Sequence, residues 1–196
     1  MPPTLSLVFH TGMGHTGAAA EAVARGAGAV GDVDVQVFPI TATQIEPETG
    51  WRDEEVLAAL TASEGVVFGA PTYMGMVSWQ FKAFAYSLGQ FWMSSGWQDK
   101  IAGGFTASSF PSGDKSSTIG YLATLAAQLR MVWVGPAAPS SNLTGDGLGI
   151  DPNGFYQGVG VVGGRPDSGL PTDGDLLTAE RYGTRLAEAT LRWSGT

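Results

Sequence analysis

The 196-residue chain has no cysteine. That excludes disulfides, thiolate chemistry and Cys-ligated metals, and it leaves the cellular compartment open. Histidine is nearly as scarce. The two present, His10 and His15, stand without a carboxylate cluster, so no metal site is expected. Basic residues are outnumbered, 10 Lys and Arg against 18 Asp and Glu, giving a formal charge of -8 and a pI near 4.5. Such a balance argues against nucleic acid and anionic membrane surfaces as partners. No apolar run approaches the length of a membrane span. MPPTLSLVFH lacks the basic segment and apolar length of a signal peptide. A soluble cytoplasmic protein is therefore expected. Neither a repeat nor a linker divides the chain, so one domain over residues 1–196 is expected.

Glycine is what the sequence has in excess: 29 residues, roughly twice average usage. Much of it falls in loops and between positions 135 and 174. Short apolar runs alternate with helical segments. Strands are expected at 5–9, 33–38, 65–69, 101–106 and from 131, with a return to the sheet at 158–162. Helices are expected at 15–29, 53–62, 78–92, 116–129 and 173–193, the last capped by Thr172 or Asp173. Residues 39–52 read as a polar loop, and 135–157 as a Gly/Pro/Asn/Ser-rich segment too long for a turn. The run at 65–69 is apolar throughout, as in a central parallel strand covered on both faces. Five strands alternating with helices predict an α/β fold with a doubly wound parallel sheet.

In such sheets ligands bind beyond the carboxyl ends of the strands. The stretch HTGMGHTG, residues 10–17, stands at the first of these ends. Amides from Gly12 to Thr16 are placed to converge on an anion at the start of a helix, where the dipole adds partial positive charge. Thr11 and Thr16 offer hydroxyls. No Lys or Arg occurs from Met1 to Ala24, so the anion is held by neutral donors, which argues against a triphosphate. Gly12, Gly14 and Gly17 fit the dinucleotide spacing G-x-G-x-x-G. However, Pro39-Ile40-Thr41 stands where that site needs an acidic residue. The alternative is a Gly-rich turn that merely permits close packing. His10 is expected as a satisfied polar residue at the strand exit, and His15 with its amide in the loop and its ring partly solvated.

Two more loops come after neighbouring strands. APTYMGMVSWQFKAF, residues 70–84, is aromatic, Met-rich and bent by glycine; TASSFPSGDKSS spans 106–117. These are materials for a flat apolar pocket with backbone donors at a polar edge, although a lone cluster of this kind is ordinarily core.

The order and spacing of these segments resemble the WrbA-type NAD(P)H:quinone oxidoreductases of the flavodoxin-like fold, over nearly the whole chain. Thr11-Gly12-Met13-Gly14-His15-Thr16 resembles the family's phosphate loop. Pro71-Thr72-Tyr73-Met74-Gly75-Met76 resembles its Pro-Thr-Arg-Phe-Gly-Asn loop, with Gln80 and Phe84 matching in the helix behind, then Trp92 and Lys100. Residues Ala107, Ser108, Ser109, Phe110 and Gly113 belong to the third loop, and Arg181-Tyr182-Gly183 resembles a motif in the final helix.

The resemblance implies a five-stranded sheet in the order 2-1-3-4-5. It implies FMN held by its phosphate at residues 11–16, with 71–75 along one edge of the flavin ring and 107–113 over its pyrimidine side. NAD(P)H would be the reductant and a quinone or other flat aromatic molecule the acceptor, in a homodimer or homotetramer. Met74, Met76, Trp79, Trp92 and Leu129 would line the acceptor pocket. The family's histidine pair before the fifth strand is replaced by Gln128-Leu129, and a later tyrosine by Ala137-Ala138. A remodelled acceptor side is therefore expected, and no catalytic side chain is assigned. Two alternatives stand beside this reading: an electron carrier between proteins, which the acidic charge suits, and a flavin-free binding protein that kept the fold.

Overall fold

The computed structural model describes residues 1–163 and 169–195. The chain runs through β1 (Thr4–Phe9), α1 (His15–Gly28), β2 (Asp34–Pro39), β3 (Ile45–Glu46), β4 (Gly50–Trp51), α2 (Glu54–Ala62), β5 (Gly65–Tyr73), β6 (Met76–Val77), α3 (Trp79–Ser87), α4 (Gly89–Ser94), β7 (Ile101–Ser108), α5 (Lys115–Gln128), β8 (Val132–Trp133), α6 (Ser141–Thr144), β9 (Val159–Val162) and α7 (Asp173–Ser194). The main sheet has the order β2-β1-β5-β7-β8, with β9 also on β7. Counted over the long strands, this is the expected 2-1-3-4-5.

Side-chain alternation along each strand feeds two cores. Leu5, Leu7 and Phe9 of β1 face α1 and α7, while Val8 faces the side covered by α2, α3 and α5. The first helix pair packs backbone to backbone: a side chain at Gly26 would strike the Glu180 carbonyl, and one at Gly183 the Val23 carbonyl. β2 is the edge strand and only partly covered, which explains its alternating sequence. Helix α7 starts where expected, with Thr172 Oγ1 accepting the Asp175 amide at 3.1 Å.

Two local expectations are corrected. The polar loop at 39–52 contains a 3-10 turn and the β3–β4 hairpin. Trp51, 2% exposed, is thereby set edge-on against Phe84 at 5.1 Å. The helix expected at 78–92 is two helices broken at Leu88–Gly89. Trp97 is fully buried and stacked on Phe91 at 5.1 Å, so it belongs to the core. The fifth strand is in two pieces, as expected from the run at 131 and the return at 158–162: Val132 and Trp133 pair with Ile101 and Ala102, and β9 then resumes opposite Phe105 to Ser108. The residues between form an excursion that returns to the same sheet edge.

All long strands run parallel, so the loops after β1, β5 and β7 emerge at one end of the sheet. The helices run back, so the carboxyl ends of α3 and α5 lie at the opposite end.

Candidate functional site

The loop after β1 ends on Gly14, whose φ of 90° is left-handed and open to glycine at little cost. Thr11 Oγ1 accepts the Gly17 amide at 3.1 Å, so this threonine braces the helix start from outside. Among the described residues, the amides of Gly12, Met13, Gly14 and Thr16 have no acceptor in the chain. Helix α1 also lacks an acidic residue in its first turn, where α2 carries Glu54 and Glu55 and α7 carries Asp173 and Asp175. Unpaired amides at a positive helix end form a receptor for an anion.

The second loop is a tight hairpin. Thr72 pairs with Val77 and Tyr73 with Met76. Met74 and Gly75 both have positive φ, 49° and 77°, the geometry of a two-residue turn matched to strand twist. The turn lifts Met74 fully into solvent, with Tyr73, Met76 and Trp79 exposed beside it. Beneath, Thr72 Oγ1 lies 2.8 Å from both Thr106 Oγ1 and Thr118 Oγ1. This hydroxyl cluster ties β5, β7 and α5 together under the loop. Tyr73 leans toward the first loop, its hydroxyl against Gly12.

The third loop begins after Ser108. Phe110 is exposed, and a side chain at Gly113 would overlap Ser108. Lys115, the first residue of α5, is fully buried under this loop. Its Nζ donates to the Phe110 carbonyl at 2.6 Å, the Pro111 carbonyl at 2.8 Å and Ser108 Oγ at 2.9 Å. Burial lowers its pKa to about 8, against the opposing pull of Asp175. The sequence alone does not single this residue out. Its one signal there is a cation at a helix N-terminus, where the dipole disfavours it.

Met13, His15, Thr16, Pro71, Thr72, Tyr73, Ala107, Ser108 and Ser109 meet around one cleft. The three loops are thus brought together. The His15 ring is half-buried and lies against Gly163 at the end of β9. His10 is buried as expected, but it is not satisfied: Nδ1 has no partner among the described residues. Burial lowers its pKa, so it is neutral at pH 7.

Trp92 and Leu129 are not brought to this cleft. They share a second cavity, of about 380 Å³, with Lys82, Tyr86, Tyr121 and Leu125. The reason is topological: both come after helices that run away from the loop end. Arg130, next to Leu129, bonds the Trp92 carbonyl at 3.3 Å, and Leu129 itself is 2% exposed.

A family model described as NADPH-dependent FMN reductase matches residues 10–144. The chain belongs to that family. The match begins at His10, covers the first, second and third loops, and ends inside the excursion between β8 and β9. Among solved structures, a flavodoxin, WrbA-like protein from Agrobacterium tumefaciens superposes with a TM-score of 0.74 at 37% identity, over 97% of this chain and 98% of that one. Among characterised relatives, the flavodoxin FldP of Pseudomonas aeruginosa is 35% identical over 92% of this chain and 93% of its own. An NAD(P)H dehydrogenase (quinone) of Geobacter metallireducens is 28% identical over 95% and 97%. The family's fold therefore runs the length of this chain, including the segments beyond residue 144. Among the described residues no helix is long and apolar enough to cross a membrane.

Proposed function

We propose that this protein is an FMN-dependent oxidoreductase, one flavodoxin-like domain that passes electrons from NAD(P)H to a quinone or other flat aromatic acceptor in the cytoplasm. The observation that carries the reading is the set of unpaired amides at Gly12, Met13, Gly14 and Thr16, in a loop whose Met13, His15 and Thr16 line one cleft with the other two loops. FMN fits this donor chemistry. A phosphate monoester needs several N–H and O–H donors, and here it finds backbone amides, a helix dipole and the Thr16 hydroxyl without a lysine or arginine in the loop.

Bound FMN supplies hydride acceptance and electron donation. The chain's own groups do the placing. Residues 11–16 hold the phosphate. Pro71, Thr72, Tyr73, Met74 and Gly75 border the ring on one side, and Ala107, Ser108, Ser109, Phe110 and Gly113 border it on the other. Fixed amides at the polar edge of the ring favour negative charge there without reorganising. Met74, Met76 and Trp79 offer an apolar, flat surface for the acceptor. No side chain is given an acid–base role; His10 is buried and does not line the cleft.

The cavity between α3 and α5 supports a second copy of the chain there. It is lined by Tyr86, Tyr121 and the half-exposed Trp92, residue types that anchor interfaces.

The visible spectrum of the purified protein, before and after FMN is added, tests the cofactor. Oxidation of NADH and NADPH with and without a quinone tests the reaction. Likeness to a flavodoxin, together with the charge of -8, favours one second reading, an electron carrier between proteins. A protein that holds FMN but oxidises neither nicotinamide would select it.

A further inference from the structure

A lysine with no exposed surface is rare, and a buried charge is retained only with partners. Lys115 is such a residue. Its stem crosses Gly160 of β9, its ammonium lies 5.5 Å from the centre of the Phe155 ring, and three oxygen acceptors surround it. All three belong to residues 108–111. An ammonium has three N–H donors, and here each has an acceptor in the same loop. Ser108 Oγ also donates to the Phe110 carbonyl at 3.0 Å, closing a small ring of bonds. The Lys115 amide itself is tied to the Ser112 carbonyl at 3.2 Å.

These bonds draw the carbonyls of Phe110 and Pro111 inward. In a trans peptide the N–H points opposite to its C=O, so the Ser112 amide is turned outward from the lysine. The loop has acquired a defined face from a charge placed under it. The acidic group whose charge acts on it is Asp175 of α7, and that carboxylate is engaged by the Val162 amide at 3.2 Å. Among the described residues no salt bridge joins the two. The lysine's bonding is therefore spent on the loop rather than on a counter-ion.

We propose that Lys115 is a positioning residue for the flavin ring: its buried ammonium holds residues 108–111 from beneath and sets the shape of the loop against which the ring is bound. The proposal rests on the FMN reading given above, and the test separates the two.

The cysteine-free sequence makes a selective experiment possible. In K115C the introduced thiol is the only one. Alkylated in denaturant with bromoethylamine and refolded, it regains an ammonium at the end of a lysine-length chain. Alkylated with bromopropane, it gains a neutral chain of the same length. FMN affinity is read by fluorescence quenching, alongside K115M expressed directly. The expected result is FMN binding weakened about tenfold or more in K115M and in the propyl adduct, with the aminoethyl adduct returning close to wild type. Equal affinity in the two adducts, or K115M equal to wild type, would overturn the proposal. Amide hydrogen exchange of residues 108–113 in the flavin-free protein is the second readout. Faster exchange there in K115M, with α1 unchanged, supports the positioning role even if the wild type binds no FMN, in which case only the FMN reading fails. Unchanged exchange in that loop overturns the positioning role whatever binds.

Discussion

The hydroxyl of Tyr182 fills the gap in the fifth strand. It accepts the Gly104 amide at 3.1 Å and donates to the Val134 carbonyl at 2.5 Å, where neither β8 nor β9 reaches Gly104. The side chain is 1% exposed, and burial pushes its pKa up, so the proton stays on the oxygen. Y182F removes both bonds and leaves a buried donor and an acceptor unpaired. A loss of about 1–3 kcal/mol is expected in urea denaturation. An effect below about 0.5 kcal/mol would mean that water takes over both bonds.

Gly14 acts through its backbone angle. A side chain added there would find no atom within 4 Å, but φ is +90°. Crowding is thus not the obstacle; conformation is. G14V should weaken FMN binding by about tenfold, from a strain of about 1–2 kcal/mol, while G14N should be milder. Titration with FMN and with riboflavin measures this. Wild-type preference for riboflavin would remove the phosphate from the assignment.

Acceptor size should matter. Met74, Met76, Trp79 and Phe110 are exposed on the second and third loops and offer an apolar rim to a flat ring. A naphthoquinone should therefore exceed benzoquinone in kcat/KM by a few-fold to about tenfold, from the added apolar area. Equal values for the two rings would show that the rim does not grip the acceptor.

The cavity between α3 and α5 gives a separate expectation. W92E should lower the mass seen by light scattering at micromolar concentration, because a charge would enter an apolar contact. A wild type that is already monomeric would instead leave the cavity a feature of one chain, and would favour the carrier reading.

Lys115 also predicts a pH dependence. Its pKa is about 8 in the folded protein, against 10.5 as the ordinary value. Between those values the unfolded chain binds more protons than the folded one. Stability from this group therefore rises with pH from about 8 to 10.5, falls back as pH drops from 10.5 to 8, and is flat below that. Urea midpoints for wild type across that window should show a positive contribution that K115M lacks. Parallel profiles would mean that the lysine is not desolvated as the structure has it.

The parts legible in the sequence are those with local causes. Val66, Val67 and Phe68 announce a central strand because both faces are covered, and Thr172 announces a helix start because its hydroxyl caps one. The three loops are legible from their place after strands and from their odd composition. The illegible parts depend on distant partners. Trp51 is held by Phe84, across the hairpin. Tyr182 can be matched to a family motif, but its bridge to Gly104 spans much of the chain. Trp92 and Leu129 read as pocket residues along the sequence; helix direction separates them from the cleft. Lys115 is hidden by its company, since a lysine beside Asp114 and Ser116 reads as surface.

The broken fifth strand has a consequence for how the chain can be handled. Everything through Val134 builds the sheet core and the three loops, and residues from 158 onward return as β9 and α7 to close it. The exposed turn at 145–148, with left-handed Gly145 and Gly147, lies between the two parts. A break there cuts no strand. Two fragments separated at that turn carry complementary halves of one strand, and the close glycine contacts of α1 with α7 would favour their reunion. Flavin uptake would then report fragment complementation, and the protein becomes a candidate scaffold for a split reporter with its own colour.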